Sequence, residues 1–169
     1  MSALRRLARR DFSELELRRA LRRGGHPADA VDAVIARLLK ARALDDGRYA
    51  AAFARSRLAG QGLGRIRIRA GLRARGVGRE AVEQGLKQAL LDFPETEALD
   101  RAARRLLRPR AGEPREKALR RVSAALLRRG FPWRLVRQRL ARLQPAWRDI
   151  LTGSEWEPPE PSGDPEETP

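Results

Sequence analysis

Five positions recur three times along this chain, at offsets of 51 and 54 residues. Leu21, Leu72 and Leu126 are the anchors. Four residues earlier stand Leu17, Ile68 and Val122, and four later stand Gly25, Gly76 and Gly130. Ten later come Val31, Val82 and Val136; fourteen later come Ile35, Leu86 and Leu140. Apolar residues four apart share one helical face, and glycine is the usual residue past a helix end. Each copy therefore reads helix, glycine cap, helix, with room for one more helix before it. A period of this size points to stacked modules. The expected architecture is all-α: three tandem three-helix repeats forming an elongated array. The repeats are assigned to residues 1–43, 44–93 and 94–152, and residues 153–169 to a disordered acidic, proline-rich tail.

Local signals support the helices. Ser13-x-x-Glu16 is a capping box, and Phe12 before it suits a hydrophobic staple. Gly24-Gly25 stops that helix, and Pro27 suits the first turn of the next. Further helices are expected over about 3–10, 65–75, 80–91, 94–107, 115–129 and 132–144. Aromatics make up only 5% of the chain, so the core must come from Leu, Ala, Val and Ile. Strand-type alternation is missing.

The charge is unevenly placed. Residues 1–148 hold all 37 basic residues and 15 of the 22 acidic ones, giving +22, whereas the whole chain is +15. Codon bias accounts for arginine over lysine but less easily for the excess of bases over acids. A body this basic attracts polyanions. The absence of cysteine excludes a disulfide framework, a thiol nucleophile and a zinc cluster. No apolar run is long enough to span a membrane, and the start lacks a secretory core. A cytoplasmic location is expected.

Gly60-Gln61-Gly62-Leu63-Gly64 before a helix has the look of a phosphate cradle. No strand precedes it and no Gly-Lys-Ser/Thr follows, so a flexible joint is the better reading. Asp45 and Asp46 are adjacent and therefore do not face one another on a helix; capping the helix that follows is expected of them rather than catalysis or metal binding. His26, the sole histidine, suits a cap or surface role. No nucleophile, base and orienting group assemble, so an enzyme is not expected, nor is a cofactor.

Tyr49 and Phe53, four apart, should stack. Arg65, Arg69 and Arg73 form an i, i+4 stripe with Arg67 and Arg75 nearby, either a solvated face or an anion-binding surface. Arg57 falls within the apolar face of its helix and should pair with a carboxylate or snorkel. Arg48 and Arg55 lie on the outer face and are contact candidates. Trp133 suits packing better than base stacking.

Leu44-Asp45-Asp46-x-Arg48-Tyr49-Ala50-x-x-Phe53-x-x-Ser56-Arg57, followed by Gly64-x-x-Arg67-Ile68-Arg69-x-x-Leu72-x-x-x-Gly76, resembles the RecX family of bacterial recombination regulators. Two departures stand out: Arg65 replaces a frequent proline, and Gly71 replaces a frequent acid. Glycine inside a helix costs about 1 kcal/mol relative to alanine, so Gly71 is the expected point of strain.

The resemblance implies a non-enzymatic negative regulator of the RecA recombinase in DNA recombination and repair. Such a protein binds the RecA nucleoprotein filament, suppresses ATP hydrolysis and strand exchange, and opposes filament growth; some members also bind DNA directly. The implied partners are the RecA filament and single-stranded DNA, with double-stranded DNA as an extension; no membrane is implied, and the protein is a monomer. Contacts are expected from Arg48, Arg55, Arg65, Arg67, Arg69, Arg73 and Arg75. Asp45, Asp46, Tyr49, Phe53, Arg57, Leu72 and Gly76 form the structural motif. The alternative is a stand-alone DNA-binding protein of helix-turn-helix type, against which Glu80 and Glu83 make 80–91 a poor recognition helix. The acidic tail is expected to fold back and compete with phosphates, so that deleting 153–169 tightens DNA binding at low salt.

Overall fold

The glycines in phase with the apolar repeat end their helices in one way. In a computed structural model, which describes residues 2–108 and 110–153, Gly25, Gly76 and Gly130 have φ of +80°, +74° and +82°. The residue after each donates its N–H to the anchor leucine: His26 to Leu21, Val77 to Leu72 and Phe131 to Leu126, at 3.4, 3.2 and 3.3 Å. This six-to-one bond closes a Schellman turn, which needs a left-handed residue that only glycine adopts without cost. All twelve apolar repeat positions are buried, none more than 3% exposed.

The described residues form ten α-helices and no strand. In order these are α1 (Ser2–Leu7), α2 (Glu14–Arg23), α3 (Ala28–Lys40), α4 (Asp46–Ser56), α5 (Arg65–Arg73), α6 (Arg79–Asp92), α7 (Glu95–Leu106), α8 (Arg115–Arg128), α9 (Trp133–Leu143) and α10 (Arg148–Thr152). A π-turn over Arg57–Gln61 follows α4, and a 3-10 turn over Pro145–Trp147 precedes α10. The π-turn and α10 carry no signal in the repeat. None of the described helices is long and apolar enough to cross a membrane. The expectations for the acidic tail concern residues 153–169, of which 154–169 lie outside the described residues.

The chain divides into two compact units. Unit 1 comprises residues 1–56 and 69–92. Its first core joins Phe12, Leu17, Leu21, Val31, Ile35, Leu38 and Leu44. Here α4 lies along α6 so closely that a Cβ on Gly85 would stand 2.5 Å from that of Ala50. Small residues at Ala50, Ala51, Ala54 and Ala89 permit this approach. Unit 2 comprises residues 57–68 and 93–169. Its described core is built from Ile68, Leu99, Leu119, Val122, Leu126, Phe131, Val136 and Leu140, closed by Trp147 and Leu151 from the last two turns.

Candidate functional site

The region from Leu44 to Gly76 is held by caps that run between helices. Asp45 accepts the N–H of Arg48 at 2.9 Å and so caps its own helix, α4. Asp46 does not. Its Oδ1 accepts the N–H of Glu14 at 2.8 Å, satisfying the first residue of α2. This corrects the reading of Asp46 as a cap for α4; its side chain is tied to a different helix by tertiary packing. Burial holds the Asp46 carboxyl above the ordinary aspartate value, opposed by that backbone bond and reinforced by the charge of Glu14.

The same device recurs in unit 2. Glu95, the first residue of α7 and only 8% exposed, accepts the N–H of Arg65 at 2.7 Å, at the first residue of α5. The sequence reading passed over Glu95 because its partner lies 30 residues earlier. Gly64 and Ile66 donate to the carbonyls of Arg129 and Gly130 at 2.7 and 3.1 Å. Three successive donors at the start of α5 are thus taken, which disfavours a phosphate cradle there. Nor is the glycine run the expected flexible joint at its last position. Gly64 is buried, and a Cβ there would collide with the backbone of Gly130 and Phe131. Close packing, not mobility, requires this glycine.

In unit 1, Glu16 gathers several groups. Its side chain reaches the Ser13 N–H while the Ser13 hydroxyl accepts the Glu16 N–H, completing the expected capping box. Glu16 also faces Arg10 at 3.1 Å and Arg75 at 3.5 Å, and accepts from the Tyr49 hydroxyl at 3.3 Å. Burial first, and then the Glu16 charge, raises the Tyr49 phenol above its ordinary value. Tyr49 and Phe53 stack with centroids 6.2 Å apart. Arg75 lies over the Phe53 ring at 4.8 Å and donates to the Gly71 carbonyl at 2.7 Å. Gly71 accommodates that ring: a Cβ would stand 3.3 Å from Phe53 Cζ. The expected point of strain is a contact that needs the missing side chain. Leu72 is fully buried, and any Cβ on Gly76 would overlap Leu15.

The arginines proposed from the sequence divide by what holds them. In unit 1, Arg55 pairs with Asp92 at 2.9 Å, and Arg69 forms two bonds to Glu83 at 2.7 and 2.9 Å. These bonds, with the Arg69 charge, hold the Glu83 carboxyl below its ordinary value. Arg48 is exposed and, among the described residues, reaches only the Ala43 carbonyl at 3.3 Å. Arg73 is exposed, with no hydrogen bond or ion pair among the described residues. Arg75 is half-buried in the network above. In unit 2, Arg65 faces Glu95 at 3.6 Å, and Arg67 donates to the Arg128 carbonyl at the end of α8 at 2.7 Å. Arg57, at the start of the π-turn, is half-buried.

A cavity of about 710 Å3 in unit 1 is lined by Glu14, Arg18, Asp45, Asp46, Arg79 and Glu80 among others. Its carboxylates outnumber its guanidinium groups, which disfavours an anion. No group of three His, Asp or Glu among the described residues is placed to hold a metal ion.

Residues 45–86 match the sequence model described as RecX, second three-helix domain, and residues 1–38 that described as RecX, first three-helix domain. The regulatory protein RecX of Chromohalobacter salexigens is 37% identical over 145 residues, covering 86% of this chain and 90% of that protein. That of Xanthomonas axonopodis pv. citri is 41% identical over 138 residues, covering 80% and 81%. The crystal structure of RecX from Lactobacillus salivarius has the same fold, with a TM-score of 0.74 at 19% identity over 85% of this chain and 93% of that one.

Proposed function

This chain belongs to the RecX family, and from that premise we propose that it is a negative regulator of the RecA recombinase. It binds the RecA–single-stranded-DNA filament and inhibits ATP hydrolysis, strand exchange and filament extension, acting by occupancy rather than by chemistry. Family membership over most of the chain is the observation that carries this reading. The arginines around α4 and α5 give it a surface. Arg48 and Arg73 are exposed and hold no carboxylate among the described residues. Arg55 and Arg69 hold solvent-exposed ones, and such pairs are worth about 0–1 kcal/mol, so an acidic patch on a partner can replace them. Arg65, facing buried Glu95, and Arg67 and Arg75 serve the fold instead, which narrows the contact set to Arg48, Arg55, Arg69 and Arg73.

The test is ATP turnover by RecA on single-stranded DNA with the purified protein added. Turnover should fall, and Arg48→Glu/Arg73→Glu should need roughly tenfold more protein for the same effect, as expected for the loss of about 1.4 kcal/mol. Unchanged turnover at several-fold excess of the wild-type protein contradicts the reading.

A further inference from the structure

The three copies of the helix–glycine–helix motif differ on one face. In the first, Arg18 on α2 bonds Asp32 on α3 at 2.7 Å. In the second, the equivalent Arg69 on α5 bonds the equivalent Glu83 on α6. Both pairs are 14 residues apart and brace the two helices of their motif. In the third copy the brace is gone. Buried Ser123 stands where the arginine belongs, and Arg137 stands where the acid belongs.

The change extends along the second helix. Exposed Asp29, Asp32, Ala33 and Arg37 on α3 correspond to exposed Glu80, Glu83, Gln84 and Gln88 on α6, and to exposed Arg134, Arg137, Gln138 and Arg142 on α9. Formal charge over the four positions goes from −1 to −2 to +3. The turn before each helix has the same hydrogen bonding, and the same two positions of each helix are buried, so these residues occupy equivalent faces. An acid in the first turn of a helix is favoured by its dipole and an arginine there is not. Nothing in the fold offsets Arg134: neither it nor Arg137 has a hydrogen bond or ion pair among the described residues. The acidic character that counts against α6 as a DNA-facing helix does not extend to α9.

We propose that the outward face of α9 is a nucleic-acid contact surface that grips the DNA phosphate backbone through Arg134, Arg137 and Arg142. Arg134, Arg137 and Arg142 stand at i, i+3 and i+8, all exposed on one helix, where each guanidinium can fork onto phosphate oxygens. Gln138 lies among them. The first two motifs, with acids at the positions of Arg134 and Arg137, do not share the role.

The test is DNA binding by the full chain without RecA, so its outcome does not depend on the filament reading. Anisotropy of a labelled oligo-dT strand, and of a duplex, is measured against salt for the wild type, Arg134→Glu/Arg137→Glu and Arg19→Glu/Arg23→Glu. The last changes net charge equally at exposed positions of α2. The α9 variant should lose about tenfold or more in affinity, and its log–log salt slope on single strands should be shallower by about 1.4; the α2 variant should lose much less. Arg134→Gln/Arg137→Gln should fall between wild type and the α9 variant. Equal losses in the α2 and α9 variants, or no loss in α9, overturn the proposal. So does an α9 variant that keeps its DNA affinity but loses binding to DNA-free RecA, which would make α9 a surface for an acidic protein patch. The relative sizes of the strand and duplex effects identify which form of DNA α9 grips.

Discussion

Unit 1 carries 18 basic and 10 acidic side chains; unit 2, up to residue 153, carries 19 and 6. The two units use the same turn and the same burial pattern but manage charge differently. In unit 1, Glu14, Glu16, Asp32, Glu83 and Asp92 each hold an arginine. In unit 2, Glu95, Asp100 and Glu113 do so. Arg104, Arg105, Arg108, Arg134, Arg137 and Arg142 are left exposed without an ion pair among the described residues. A repeat motif thus keeps its apolar frame while its surface charge is free to diverge. Exposed pairs add little to stability, so losing them leaves the fold intact and leaves cations available to a partner.

The largest effect expected from this contrast separates two equivalent glycines. Gly25 in unit 1 has nothing within 4 Å of a Cβ, whereas one on Gly130 in unit 2 would stand 2.5 Å from the Cβ of Arg67. Gly25→Ala should cost about 1 kcal/mol, the left-handed penalty alone. Gly130→Ala should cost about 3 kcal/mol, since overpacking adds to it. Chemical denaturation measures both, and equal losses would mean that the turns are not packed differently.

Next come the two interhelical caps, Asp46 in unit 1 and Glu95 in unit 2. Truncating either to alanine should cost about 1 kcal/mol. Asp46 also carries a pH dependence. Asp46 has a raised value in the folded state, so the native protein binds more protons than the unfolded chain just above 3.8. Stability from this group therefore falls as pH rises through that window. Asp46→Asn keeps the acceptor and should remove this slope; urea midpoints measured across acidic pH would show a persisting slope if Asp46 were not its source.

The smallest effect concerns the surface brace of the second copy. Glu83 has a lowered value, set first by its hydrogen bond to Arg69. Its contribution is present above the unfolded value and is lost as pH falls through the folded one. Glu83→Gln should cost under about 1 kcal/mol at neutral pH, because the pair is exposed and screened. It should also abolish that acid-side loss. A cost near that of the caps would show that the brace matters more to the fold than its exposure allows.

The helical frame was legible because it is periodic: Leu21, Leu72 and Leu126 and their glycines follow from spacing alone, and each is placed as expected. The caps from Asp46 and Glu95 were not, since their partners lie 32 and 30 residues away and no local pattern encodes which helix end a carboxylate meets. Gly64, Gly71 and Gly85 were misread or missed for the same reason: each makes room for a group distant in sequence. Among the candidate contact arginines, spacing did not distinguish Arg73, left exposed, from Arg75, held by Phe53 and Glu16. The Arg18–Asp32 and Arg69–Glu83 braces were missed as well, although their constant separation of 14 residues is itself part of the repeat.

The central claim is that this protein acts by seating itself on a RecA filament. An electron cryomicroscopy reconstruction of the full chain with RecA on single-stranded DNA tests it most directly. The account predicts regular density for the protein along the filament, with Arg48 and Arg73 against RecA. A bare filament under saturating protein, or bound protein with that face turned to solvent, would contradict it.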